Sequence, residues 1–113
     1  MDIEMLREYC LSFDHVTEEF PFGNNTLVFK VFGKIFLLTG LDHSPIQFNA
    51  KSLPEKAIEL REQYECIQPG YHMNKKHWNT ITIDGDLPLL LIKQLIQDSY
   101  NLVYASIPKS KRK

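Results

Sequence analysis

The sequence predicts an α+β domain, an antiparallel sheet with helices packed mainly on one of its faces. Two strand-like runs flank a glycine turn at residues 32–34, which is hairpin spacing and not a crossover. Helical patterning is confined to three separated stretches, at the start, the middle and the end of the chain. Strands in runs divided by single helices favour this architecture, whereas a doubly wound fold needs regular βαβ alternation. The 113 residues, 43% hydrophobic and 24% charged, suit one globular domain over 1–107 with a basic tail at 108–113. A chain of this length can bury a core without disulfides or metals to hold it together.

Apolar residues at Ile3, Leu6, Cys10 and Leu11 have helical spacing, and Asp2 is placed to cap that first helix. Residues 16–20 read as an irregular edge strand, since Pro21 cannot donate to a ladder. The runs 26–31 and 35–39 form the hairpin around Phe32, Gly33 and Lys34, and residues 46–49 add a further strand. A second helix is expected over about 52–64. Ser52 and Glu55 have capping-box spacing there, and Pro54 sits in the first turn, where its missing N–H does no harm. Residues 67–72 break that helix with a short strand and a turn. Alternation from Trp78 to Ile83 predicts another strand. Asp84, Gly85 and Asp86 close it, Asp86 is placed to cap a last helix reaching about Ser106, and the tail is expected to fray.

The net charge of −1 hides an asymmetry, because residues 1–65 carry −5 and residues 66–113 carry +4. Such polarity suits an anionic partner. Four of the seven positive charges in the second part lie in the last five residues, however, so the folded part is less basic than the sum. The acidic start, Met1, Asp2, Ile3 and Glu4, does not read as a signal peptide. No apolar run approaches the ~20 residues of a membrane span. Cys10 and Cys66 are expected to be reduced, buried thiols, and the location to be the cytoplasm.

Residues 70–80 are the most unusual stretch: Gly70, Tyr71, His72, Met73, Asn74, Lys75, Lys76, His77, Trp78, Asn79 and Thr80. Lysines neutralise phosphates, Asn and His donate to phosphate oxygens or base edges, and Tyr71 or Trp78 can stack on an unpaired base. A structural account stands beside this one. Trp78 then fills the core, Asn74 caps a turn over 75–77, and the lysines are simply solvated. His72 and His77 are five positions apart, not four, with no carboxylate or thiol between them, so no metal site is expected. His15 and His43 read as isolated surface residues. There is no nucleophile elbow, phosphate loop or dinucleotide fingerprint, and no enzymatic activity or cofactor is expected.

These residues resemble the signature of the MmcQ/YjbR family of small bacterial proteins. The resemblance extends through Pro21-Phe22-Gly23, the hairpin from Val28 to Phe36, Pro54 to Ala57 with Leu60-Arg61-Glu62, and Asp98 to Val103. Leu53 departs from the polar capping residue expected before Pro54. The resemblance implies a two-layer sandwich of order α-β3-α-β2-α, similar to secretion-chaperone-like and frataxin-like folds. It also implies a DNA-binding, "double wing" protein. Contacts are then expected in the loop through Tyr71, His72, Asn74, Lys75, Lys76, His77 and Asn79, with Lys30 and Lys34 of the hairpin as a second element. The alternative is a protein- or peptide-binding module of chaperone-like shape, and a monomer or weak dimer is expected in either case. Iron binding is not carried over, because Asp2, Glu4 and Glu8 make no dense acidic ridge.

Overall fold

In the computed structural model, which describes residues 1–71 and 73–112, Asp2 starts the first helix as its position predicts. Its Oδ1 accepts from the Met5 N–H at 2.8 Å, and α1 runs Ile3–Leu11 with Leu6 and Cys10 buried. The chain then forms β1 (Val16–Glu19), β2 (Thr26–Val31), β3 (Lys34–Gly40) and β4 (Gln47–Lys51) before α2 (Pro54–Gln63). It continues through β5 (Ile67–Pro69), β6 (Trp78–Thr82) and α3 (Leu89–Ser106). All strand pairs are antiparallel, in the order β1-β2-β3-β4-β6-β5. The first block thus holds four strands where the family resemblance implies three. The additional one, β1, is an edge strand with regular pairing, from Val16↔Val31 to Glu19↔Val28.

The β2–β3 turn needs only Phe32 and Gly33, both at positive φ (48° and 80°), the twist that suits a two-residue hairpin. A bulky residue is strained in that region. Phe32 is held there by neighbours: its N–H donates to His15 O at 3.3 Å, and its ring stacks on the His15 imidazole at 4.4 Å. Tyr104 of α3 lies 5.9 Å away on the Phe32 ring. His15 is therefore exposed but not isolated.

Strand register assigns the two faces of the sheet, because alternate side chains point to opposite sides. One face carries Leu27, Phe29, Val31, Leu37, Phe48, Ala50, Ile67 and Ile81. These join one core with Leu6 and Cys10 of α1, Leu60 of α2, and Ile92, Leu95, Ile96, Tyr100 and Val103 of α3. The expectation of helices on one face holds. The other face presents Thr17, Glu19, Lys30, Gln47, Asn49, Gln68, Trp78, Thr80 and Thr82 around the buried pair Val28 and Leu38.

β3 pairs with β4 only over Leu37 to Thr39. Where the strands part, α3 supplies the missing rung. The buried Ser99 hydroxyl donates to Phe36 O at 2.5 Å and accepts from the Lys51 N–H at 2.8 Å. This fixes the end of β4, from which Lys51 faces the start of β6.

Two expectations about helix starts are corrected. Ser52 does not cap α2: the N-cap is Leu53, which offers no side-chain acceptor. Asp86 does not cap α3; its own N–H donates to Asp84 Oδ1 at 3.1 Å, and Pro88 occupies the N-cap. The tail forms a single 3-10 turn at Lys109–Lys111, and the Arg112 guanidinium lies 5.1 Å from the Tyr104 ring centre. Among the described residues, no helix is long and apolar enough to cross a membrane.

Candidate nucleic-acid interface

The stretch from Gly70 to Thr80 turns back on itself between β5 and β6, and helix α2 supplies what holds it. Arg61 Nε donates to Asn79 Oδ1 at 2.6 Å, while Nη2 donates to the carbonyls of Lys75 and, at 3.4 Å, Trp78. Asn79 is fully buried on the core side and donates its own amide to Ala57 O at 3.2 Å. Together these two side chains bind the loop's backbone to the helix. A buried carbonyl or amide left without such a partner costs ~1–3 kcal/mol, so this pairing determines the loop's shape.

Other polar residues of the stretch are used internally as well. Asn74 Oδ1 accepts from the Lys76 N–H at 2.9 Å, and its carbonyl accepts from His77 and Trp78, making the capped turn that the structural account expects. Lys75 Nζ donates to Gly70 O at 3.0 Å, folding one of the two lysines back on the loop. The Thr80 hydroxyl donates to Asn49 Oδ1 at 2.5 Å and accepts from the Tyr71 N–H at 3.1 Å. Gly70 has no space for a side chain: a Cβ there would lie 2.9 Å from Trp78 Cβ and 3.0 Å from Met73 Cβ.

What remains at the surface is a smaller set. Lys76 is exposed, His77 is half-buried, and Tyr71 is 73% exposed. His72 lies outside the described residues. Trp78 is half-buried and sits by register on the sheet face away from the helices, not in the core as its size suggests. Its cross-strand partner there is Lys51, a residue the sequence reading overlooked, since nothing in its local pattern marks it. Neither the Lys51 nor the Lys76 ammonium has a hydrogen-bond or ion-pair partner among the described residues.

The hairpin lysines divide differently. Lys34, at the hairpin tip, lies at the same end of the sheet as the 70–78 loop, across the intervening β4. Lys34 Nζ is 3.5 Å from the Ser106 hydroxyl at the end of α3. Lys30 is paired with Glu19 at 3.2 Å, so a carboxylate already offsets its charge. The structure brings Lys34 and the loop to one end and leaves Lys30 neutralised on the open face.

The thiols offer no nucleophile. Burial pushes Cys10 up to about 12, and burial followed by the nearby Asp84 raises Cys66, so both stay protonated near neutral pH. Both are free and buried, as expected. His43 Nδ1 is 2.9 Å from Pro45 O. Among the described residues, no three His, Cys, Asp or Glu side chains converge as a metal site would require.

The YjbR family model matches residues 11–102. The chain is 37% identical over 110 residues to the uncharacterized protein YbdF of Escherichia coli O157:H7, covering 97% of this chain and 90% of that one. It is 30% identical to the uncharacterized Escherichia coli K12 protein YjbR, covering 100% of this chain and 96% of that one. The crystal structure of Deinococcus radiodurans protein DR2400 superposes with a TM-score of 0.93 at 40% identity, over 97% of this chain and 84% of that one. A Pseudomonas syringae protein superposes at 0.77 with 26% identity, over 91% and 99%. This chain belongs to the YjbR family.

Proposed function

We propose that this YjbR-family protein binds DNA, with contacts centred on the open end of its sheet where β4, β6 and the 70–78 loop meet. The observation that supports this is the pairing of unspent charge with incompletely buried rings. Lys51 and Lys76 have no partner among the described residues, the half-buried Trp78 lies opposite Lys51 across the strands, and Tyr71 is exposed in the same loop as Lys76. Ammonium groups in that state release counterions from a phosphate backbone, and the rings offer stacking surfaces to unpaired bases. Lys34 lies at the same end of the sheet but on its helix-packed face beside Ser106, so it stands apart from this cluster. Lys75 and Lys30 contribute little, because the first is bound to Gly70 O and the second to Glu19.

The test is a titration of a labelled single-stranded oligonucleotide and its duplex over a range of salt. Affinity should fall with salt, and Lys76→Ala or Lys51→Ala should each flatten the single-strand log–log slope by about 0.7. Lys75→Ala should leave that slope unchanged. Binding indifferent to salt, or no binding at low salt, refutes the proposal.

A second reading has its own support. Phe20, Phe22 and Leu41 are 49%, 65% and 42% exposed, on loops at the opposite end of the sheet that are joined by the Leu41 N–H to Asn25 O bond at 2.7 Å. Exposed aromatic groups of this kind suit a protein partner. Substituting Phe22 with Ser should leave DNA binding intact and weaken a protein complex.

A further inference from the structure

Lys34 and the C-terminal segment form a second cationic cluster, on the helix-packed side of the same end of the sheet. Lys34 Nζ lies 3.5 Å from the Ser106 hydroxyl in the last turn of α3. Beyond that turn Ile107 is buried. The chain then closes a 3-10 turn, in which the Lys111 N–H donates to Pro108 O at 2.9 Å and the Arg112 N–H to Lys109 O at 3.2 Å. The Arg112 guanidinium, 5.1 Å from the Tyr104 ring centre, folds this turn back on the helix. Lys109 and Lys111 are exposed on it. We infer that this cluster is a second phosphate-contacting surface, which takes the backbone of a single DNA strand as it leaves the 70–78 loop. The inference rests on the DNA reading and extends its site round the end of the sheet.

Charge is what the cluster leaves unspent. Among the described residues Lys34, Lys109, Lys111 and Arg112 form no ion pair, and the pairs that do form, Arg7 with Glu18 and Lys30 with Glu19, lie elsewhere. Asp14, whose carbonyl accepts from the Tyr100 hydroxyl, also pairs with none of the four. The C-terminal end of α3 supplies about half a negative charge, a small offset against four cations. Arg112 adds a more specific observation. Its Nε is the only buried side-chain nitrogen or oxygen without a hydrogen-bond partner among the described residues. Native proteins seldom leave such a donor unmet, and the Nε–Nη fork of a guanidinium fits two phosphate oxygens.

A groove of about 400 Å3 joins the two clusters. Its lining runs from Ser52, next to Lys51, to Ala105, next to Ser106, and includes Lys56 and Asp98. One ammonium and one carboxylate leave this route near neutral. Ser99 sets its length. The Ser99 hydroxyl accepts from the Lys51 N–H at 2.8 Å, and Ser106 lies two turns further along α3, about 10 Å away. Stacked nucleotides advance about 3.4 Å each along a strand, so the route takes about three of them. A strand held at the loop therefore needs several further nucleotides before its phosphates meet the tail.

Salt titrations of the full-length protein with a labelled thymidine tetranucleotide and hexadecanucleotide test the inference. Lys109→Ala combined with Lys111→Ala should flatten the log–log slope of the longer strand by about 1.4, a loss of about 25-fold at 0.1 M relative to 1 M salt, and leave the tetranucleotide unchanged. Arg112→Lys keeps the charge but removes the fork, so it should weaken the longer strand about tenfold at every salt with its slope unchanged. Lys76→Ala should weaken both lengths, because it acts at the loop. Binding of the longer strand that ignores the tail substitutions, or a tail effect of equal size on the tetranucleotide, overturns the inference and leaves the DNA reading standing. If neither oligonucleotide binds at low salt, both fall.

Discussion

Residues 20–25 and residues 70–80 look alike as sequence, since both mix aromatic rings, glycine and asparagine in a turn. In the first, Phe20, Phe22, Asn24 and Asn25 are exposed, and neither asparagine side chain has a partner among the described residues. In the second, Asn74, Lys75, Asn79 and Thr80 are all bound to neighbouring backbone or side chains. The difference lies outside both segments. One loop packs against a helix that offers Arg61, and the other has no such neighbour. Density of polar residues in a motif therefore does not measure how many are available to a ligand.

Asn79→Ala offers the strongest way to break this comparison. It leaves the half-buried Arg61 Nε without its acceptor, removes the second donor to Ala57 O and opens a cavity at a fully buried position, which should destabilise the fold by ~2–4 kcal/mol in denaturant unfolding. Phe22→Ser in the other turn should stay within about 0.5 kcal/mol. Equal effects would mean that the Arg61 network is not what distinguishes the two regions. Gly70→Ala comes next. The added methyl must displace Trp78 and Met73, so a loss of ~1–3 kcal/mol is expected, with the largest amide shifts at residues 73–78.

The source of this network explains what the sequence could and could not reveal. The first helix was legible because Asp2 and the spacing of Leu6 and Cys10 are local features, and the hairpin was legible because its turn is two residues long. The status of Lys75 and Lys76 was not. They are adjacent and identical in type, and only the path of the backbone brings one of them within reach of Gly70 O. Trp78 was misplaced for a related reason: its size argues for the core, but the register with Lys51 sets its face. Ser52 reads as a cap because of its spacing to Glu55, while the helix begins one residue too late to use it.

That contrast between neighbours can be sharpened directly. Lys75→Ala removes a hydrogen bond to Gly70 O and should lower stability by ~1 kcal/mol. Lys76→Ala, at an exposed ammonium with no partner among the described residues, should change stability by no more than about 0.5 kcal/mol and act on the proposed DNA binding instead. If Lys76→Ala proved the more damaging to folding, the assignment of one lysine to structure and the other to ligand would be reversed.

Acid should separate the two regions in the opposite sense, with the smallest effect of the set. The 70–80 network is built from amides, a guanidinium, an ammonium and hydroxyls, and no carboxylate appears among its bonds. The approach to residues 20–25 depends on one: Arg7 Nε and Nη2 donate to Glu18 at 2.6 and 2.5 Å, tying α1 to β1. The guanidinium holds the Glu18 carboxyl below its ordinary value of 4.5. A depressed folded value means that this contribution is complete above about pH 4.5 and is lost as the pH falls through the lower, folded value. Because the pair is largely exposed, its loss should loosen β1 locally without unfolding the domain. Amide exchange at Thr17 and Glu18, relative to that at Asn79 and Thr80, should therefore rise below pH 4.5. Glu18→Gln should show the raised ratio already at neutral pH and remove its dependence on acid, whereas a ratio that stays flat in the unsubstituted protein would place the hold on β1 in its ladder with β2 alone.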